Sequence, residues 1–167
     1  RRHSTALVIA GDGDAALLAR LKQTAADLGL GNEVHWVGFV HGALKRWLLA
    51  RASLFVLPSD SENYGIAVVE AMNAGLPVIV TRGCGLADFV RQHGAGTVTD
   101  GTVAGLRAAL AGLLDNAEQG RAMGAAGREA AQRELSLDAF GARLEGLYRS
   151  VLAGSAAPAR TMVPAEP

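Results

Sequence analysis

The sequence predicts an α/β domain: a Rossmann-like parallel sheet of about five strands with helices on both faces. Short apolar runs bounded by glycine, proline and polar clusters alternate with longer stretches of helical periodicity. Glycine-bearing turns follow these runs at 11–13, 42, 65 and 83–85, the places where strands hand over to helices. Composition agrees, with half the residues hydrophobic, 21 glycines and only 5% aromatics. At 167 residues the chain is expected to form one domain around a single core.

The elements follow in order. Residues 6–10, Ala-Leu-Val-Ile-Ala, read as a strand closed by Gly11-Asp-Gly-Asp14. A helix comes next, with Leu17, Leu18, Leu21, Ala25 and Leu28 on one face, ending near Gly29. Residues 34–39 form the second strand, and His41-Gly42 turns into a helix carrying Leu44, Trp47 and Leu48. Residues 54–58 are a buried strand stopped by Pro58. A polar loop leads to a helix over about 65–74, with Gly75 as its stop and Pro77 just beyond. Residues 78–80 make the next strand, Gly83-Cys-Gly85 a tight turn, 86–92 a short helix and 94–99 a short last strand. From there the pattern is helical. Val103, Leu106, Leu110, Leu113 and Leu114 recur at helical spacing, and 118–134 is a weaker, Ala/Gly-rich helix around Met123. Ser136 caps a final helix whose one face carries Phe140, Leu144, Leu147 and Val151. The domain is therefore expected over 1–152, with 153–167 a loose tail lacking periodicity.

Sixteen basic residues balance sixteen acidic ones without a basic stripe, which argues against a nucleic-acid partner. No apolar run approaches the roughly 18 residues that cross a bilayer, and no signal peptide opens the chain. A lone Cys84 excludes an internal disulfide, fits a reducing compartment and reads as a small residue in a glycine turn. The chain opens Arg1-Arg-His without Met and reads as a piece of a longer one. No Cys/His/Asp cluster has metal-ligand spacing, and no serine sits in a nucleophile elbow.

Residues 59–80 concentrate the candidate chemistry. The helix within them starts at the carboxyl end of a strand, where open α/β sheets bind ligands. Glu62 lies in the loop before the helix, and Glu70 lies roughly 7 Å down its axis at about 1.5 Å per residue. Free N–H groups at Tyr64, Gly65 and Ile66 are expected to form an anion site between the two carboxylates. A diphosphate at the helix end, a sugar hydroxyl near Glu62 and a ribose near Glu70 fit those dimensions. Glu70 sits in Ile66-Ala-Val-Val-Glu-Ala-Met72, apolar nearly all round and so expected to be buried. A buried carboxylate needs partners, either ligand hydroxyls or internal hydrogen bonds.

Other motifs carry less. Gly11-Asp-Gly-Asp-Ala-Ala16 matches a dinucleotide fingerprint, but the following strand ends Gly38-Phe-Val-His41 with no ribose-binding carboxylate, against NAD. Gly11 and Gly13 either let backbone approach a phosphate or make an ordinary strand-to-helix turn. His41 and Lys45 flank a loop on the ligand side, where a base, a phosphate or solvent could meet them. His35 reads as a sheet residue, and His3 and His93 have no partner in sequence.

Glu62-Asn-Tyr-Gly-Ile-Ala-Val-Val-Glu70 resembles the E-x7-E motif of retaining GT-B glycosyltransferases, family 4 (glycosyl transferases group 1). The resemblance extends through Val8-Ile-Ala-Gly-Asp-Gly13, Val37-Gly-Phe-Val40, Ala52-Ser-Leu-Phe-Val-Leu-Pro-Ser59, Glu70-Ala-Met-Asn-Ala-Gly-Leu-Pro-Val78 and Leu144-Glu-Gly-Leu-Tyr148, nearly the whole chain except the tail. It implies the C-terminal, donor-binding half of a GT-B fold. It further implies that Glu62 contacts the donor sugar and stabilises charge, that Glu70 holds the ribose, and that Asn63, Tyr64, Gly65 and Ile66 face the sugar and phosphates. Gly11 and Gly13 would lie near the phosphates, and Val40 and Lys45 near the base. Leaving-group phosphate assistance, no metal and no cofactor beyond a UDP-, GDP- or ADP-sugar donor are implied.

Family members carry Gly-Arg-x-x-x-x-Lys-Gly before the first strand, and those diphosphate-clamping residues are not in this sequence. Asp14 stands where proline is common, and Asp88 where a glutamate often follows the glycine turn. The implied partner is an N-terminal acceptor domain of the parent chain, through which peripheral membrane contact would come. The implied location is cytoplasmic. The expected function is transfer of a hexose-type sugar in polysaccharide or glycolipid synthesis, with the piece alone inactive. A non-catalytic nucleotide-binding module and a sugar-nucleotide epimerase are the alternatives.

Overall fold

A computed structural model describes residues 5–153. The strands are β1 (Leu7–Ala10), β2 (Val34–Gly38), β3 (Phe55–Leu57), β4 (Val78–Thr81) and β5 (Gly96–Thr99). The helices are α1 (Ala15–Asp27), α2 (Gly42–Arg51), α3 (Ile66–Asn73), α4 (Ala87–Gln92), α5 (Val103–Asp115), α6 (Ala117–Glu134) and α7 (Leu137–Leu152). Side-chain oxygens set several helix starts, the one at Ser136 as expected. Asp14 accepts from the Leu17 N–H at 2.9 Å, Thr102 from Gly105 at 3.0 Å and Ser136 from Ala139 at 3.1 Å. Asp14, where the resemblance favours proline, is thus the N-cap of α1.

Every strand pair is parallel, and helices lie on both sides, as the alternating pattern predicts. The five strands divide into two hydrogen-bonded sets, β1 with β2 and β3 with β4 and β5. In the first set Leu7 faces Val34 and Ile9 faces Trp36, with a slip before Ala10. In the second, Phe55, Val78 and Gly96 lie in one register line.

The core belongs to the second set. Val68, Ala71 and Met72 of α3, Val78 and Val80 of β4, Leu86, Ala87 and Val90 around α4, and Ala131 of α6 form one buried cluster. That single core is confined to one part of the chain: α1 and α2 contribute no fully buried residue. A two-stranded ribbon offers too little apolar surface to cover the face of α1, so Leu17 and Leu21 stay half exposed.

The last two helices differ in what they bury. The Ala/Gly-rich stretch of α6 is the helix that closes over α3, burying Gly120, Gly124, Gly127, Ala130 and Ala131. Its small residues are what permit close approach: a Cβ on Gly124 would stand 2.0 Å from the Gly75 carbonyl oxygen. Conversely, the apolar face of α7 stays exposed among the described residues, with Phe140, Tyr148 and Val151 all more than half accessible. The tail expected at 153–167 lies outside the described residues except for Ala153.

Candidate functional site

The site is built at the carboxyl ends of β3 and β4. After β3 the chain leaves the sheet at Pro58 and runs as an extended loop beside the turn that follows β4. Glu62 and Cys84 form an isolated parallel bridge: the Glu62 N–H donates to Gly83 O at 3.0 Å, and Gly85 N–H donates to Glu62 O at 2.8 Å. The Thr81 hydroxyl donates to the Ser59 carbonyl at the loop's start. The backbones approach so closely that a Cβ on Gly83 would stand 2.1 Å from Asp60 O, and one on Gly85 2.0 Å from Asn63 O. The sequence marks Gly83-Cys-Gly85 as a tight turn. Its second task, seating the loop that carries Glu62, is a tertiary fact.

Gly65 then turns the chain into α3 with φ of 83°, in the left-handed region that disfavours a side chain. Its missing Cβ would lie 3.2 Å from both Cys84 Sγ and Val68 Cγ2. Cys84 is buried there as a small core residue.

The Glu62 carboxylate folds back onto the helix it precedes. Its Oε1 accepts from the Gly65 N–H at 3.2 Å and more weakly from Tyr64 at 3.4 Å. A carboxylate at a helix N-terminus satisfies orphan donors and meets the positive end of the dipole. The expected row of free amides at 64–66 is corrected accordingly, because two of the three already have an acceptor. The donors without a protein acceptor among the described residues are Ile66 and Ala67, one turn position later. Ile66 is 68% exposed and Tyr64 and Asn63 are also exposed, so this helix end opens to solvent.

Glu70 is corrected as well. The helix is not buried all round, and the Glu70 side chain is 34% exposed. Its Oε1 takes a 2.5 Å ion pair from Lys45 Nζ, itself 36% exposed. A pair so open to water contributes only about 0.2–1 kcal/mol to stability, so its main effect is to hold α2 and α3 in one orientation. Lys45, Arg46 and Leu49 of α2, Glu70 and Asn73 of α3, and Arg128 of α6 line an open cleft of about 470 Å³. Three cations and one carboxylate leave it net positive. Nothing in the sequence pattern brings Arg128 here; only the packing of α6 on α3 does.

The remaining predicted residues lie elsewhere. Gly11 and Gly13 sit at the carboxyl end of β1, in the other sheet, and no described hydrogen bond joins them to α3 or its loop. Gly11 bonds instead across to Gly38 O at 2.8 Å. Val40 is half-buried in the connection between β2 and α2. His93 has the partners that its sequence neighbours do not suggest. Its ring lies 4.3 Å from Phe89, and its Nε2 lies 3.3 Å from Glu134 Oε2 outside hydrogen-bond geometry. No group of three or more metal-binding side chains occurs among the described residues, and no described helix is long and apolar enough to cross a membrane.

Known proteins resemble this chain in sequence and fold. The glycosyl transferases group 1 family matches residues 1–130. This chain belongs to that family. A GDP-mannose-dependent alpha-(1-6)-phosphatidylinositol monomannoside mannosyltransferase from Mycobacterium tuberculosis is 34% identical over 157 residues, covering 89% of this chain and 40% of its own length. Sucrose-phosphate synthase from Thermosynechococcus elongatus superposes with a TM-score of 0.75 at 28% identity, over 89% of this chain and 38% of that one. Anabaena HepE, solved in complex with UDP-glucose, superposes with a TM-score of 0.75 at 23% identity, over 87% of this chain and 41% of that one. These neighbours have the GT-B fold. The chain thus spans about two fifths of the length of such glycosyltransferases.

Proposed function

We propose that this chain is the donor-binding half of a retaining, family 4 glycosyltransferase, acting on a nucleotide-sugar within polysaccharide or glycolipid assembly. The observation that carries the reading is the open N-terminus of α3, bracketed by Glu62 before it and the Glu70–Lys45 pair beside it. The Ile66 and Ala67 amides and the helix dipole would receive the diphosphate. Glu70 would hold the ribose, with Lys45 fixing its orientation and standing near the base or phosphate beside Val40. Glu62 would position the sugar and stabilise charge developing at its anomeric carbon. Asn63 and Tyr64 are exposed at the same loop, and Gly11 and Gly13 would reach the phosphates from the end of β1. Leaving-group phosphate assistance needs no metal, and chelation is expected to leave donor binding unchanged. Turnover would require an N-terminal acceptor domain, so the 167-residue chain alone is expected to be inactive and, with that domain, to work in the cytoplasm.

One observation favours a second reading for Glu62. Its carboxylate is already engaged by the Tyr64 and Gly65 amides, as a helix cap would be. In that case the module binds nucleotide and Glu62 does no chemistry.

Calorimetry with UDP-, GDP- and ADP-sugars and the matching bare nucleotides separates these. Glu70→Ala and Lys45→Ala are expected to weaken both ligand types about tenfold or more, as loss of charge-assisted hydrogen bonds does. Glu62→Gln is expected to weaken the nucleotide-sugar while sparing the nucleotide. Equal effects on both ligands would favour the cap, and donor binding indifferent to Glu62 and Glu70 together would overturn the assignment.

A further inference from the structure

A second opening lies at the carboxyl ends of β4 and β5. Strand order puts the Glu62 loop on one side of the end of β4 and the end of β5 on the other. The turn at 81–85 stands between them: Gly83 O accepts from the Glu62 N–H, whereas the Arg82 N–H donates to Thr99 O at 3.1 Å. On the β5 side an open cavity of about 470 Å³ lies between the strand and α5. Small-molecule sites typically measure about 300–1,000 Å³ and hold a few convergent polar groups.

This cavity has such groups, and they are unspent. The Arg82 guanidinium, the Thr97 hydroxyl and the Gln119 side-chain amide line it, and none has a hydrogen-bond or ion-pair partner among the described residues. Asp100 adds a carboxylate that is half used. Its Oδ1 accepts from the Thr102 N–H at 3.0 Å and the Thr102 hydroxyl at 2.8 Å, while no donor among the described residues reaches Oδ2. Gly105 lets that carboxylate settle on the first turn of α5, since a Cβ there would stand 2.4 Å from Oδ1. Farther along α5, Ala108, Ala109 and Gly112 make a floor without a polar side chain. The space above it is open: a Cβ on Gly112 would meet nothing within 4 Å.

These properties select a class of ligand. One cation and one carboxylate leave the cavity neutral, so an anion or a cation drawn to one of them is repelled by the other. Arg82 and Asp100 are both exposed, and water screens whatever charge selection remains. A hydroxyl set between them donates to the carboxylate and accepts from the guanidinium, using both at once. A pyranose carries a row of such hydroxyls and a C–H face that suits a flat floor of small residues. We propose that the cavity between β5 and α5 binds a neutral oligosaccharide, with Arg82, Asp100, Thr97 and Gln119 bonding its hydroxyls and α5 supporting its rings. A glycan held there lies beside the Glu62 loop without occupying it, which raises the local concentration of sugar chain at the neighbouring site. Binding needs no nucleotide, so the inference is independent of the donor reading.

Titration of the 167-residue chain with maltotetraose and with mannotetraose, followed by amide NMR, tests it. The amides of Thr97, Asp100, Ala109 and Gly112 are expected to shift, while those from Glu62 to Glu70 stay in place. Arg82→Ala and Ala108→Leu, both at exposed positions, are expected to weaken the bound tetrasaccharide about tenfold or more with thermal melting unchanged. Ala108→Leu fills the cavity from its floor and keeps every polar group, so the pair separates lost hydrogen bonds from lost space. Nucleotide-sugar binding is expected to survive Ala108→Leu, and a failure of the glycan test leaves the donor reading standing. No shift with either sugar, shifts confined to 62–70, or undiminished affinity in both variants overturns the proposal. So does free alanine or a short peptide moving the cavity amides where the sugars do not, which would assign a zwitterion or an added strand instead.

Discussion

The two halves of this chain use the same local grammar and reach different ends. In both, a short apolar strand leads through a glycine turn into an amphipathic helix. From β3 to α6, helices close on the sheet from both sides, and residues such as Met72, Val78 and Val90 lose all contact with water. From β1 to α2, the same kinds of residue stay half exposed, because two strands cannot supply a face wide enough for α1. The lesson is that an apolar stripe is only an offer of burial; sheet width decides whether it is taken. The candidate site straddles the division: Glu62 and the start of α3 are carried by the well-packed half, and Lys45 reaches Glu70 from the other.

The largest test of that contrast is a matched pair of truncations. Met72→Ala, which empties space at the centre of the cluster, is expected to cost about 2–5 kcal/mol in urea unfolding. Leu21→Ala removes a side chain that is 43% exposed and is expected to cost about 1 kcal/mol or less. Equal costs would erase the distinction between the halves.

A smaller but more local effect is expected at the loop. Gly85→Ala would drive a methyl into Asn63 O and is expected to cost about 1–3 kcal/mol, with loss of donor binding exceeding the loss of stability. Gly13→Ala, which meets nothing within 4 Å, is expected to leave thermal stability nearly unchanged.

The smallest effect concerns pH. The Thr102 backbone N–H, and then its hydroxyl, bond to the Asp100 carboxylate and hold its pKa below the ordinary value. A lowered folded pKa gives stability that is present above the unfolded value and lost as pH falls through the folded one. Thr102→Val is expected to raise the Asp100 pKa in an NMR titration and to flatten the acid end of the stability profile slightly. A similar direction holds for Glu134, whose carboxylate accepts first from Arg133 and also faces His93.

Strand and helix order, the parallel pairing class, the cap at Ser136, and the glycines at 65 and 83–85 could all be read along the chain. Each depends on neighbours within a few residues, so local chemistry determines it. The family could be read as well, because its motifs keep their order and spacing over most of the chain. What stayed hidden depends on residues far apart. That the Ala/Gly-rich helix α6 would pack on the core turned on Gly124 meeting Gly75. Whether Glu70 would be buried turned on Lys45 arriving 25 positions earlier in sequence. Whether the 64–66 amides would be free turned on a rotamer of Glu62.

By itself the sequence determined the alternation that makes a parallel α/β chain and the glycine positions that let its turns form. Periodicity and backbone sterics act over a few residues and need no tertiary partner. Only the tertiary structure decided where the core would lie, which amides at the start of α3 would remain open, and that the sheet would part between β1 and β3. Burial and strand pairing are properties of surfaces assembled from distant segments, and no stretch of sequence contains both sides of such a surface.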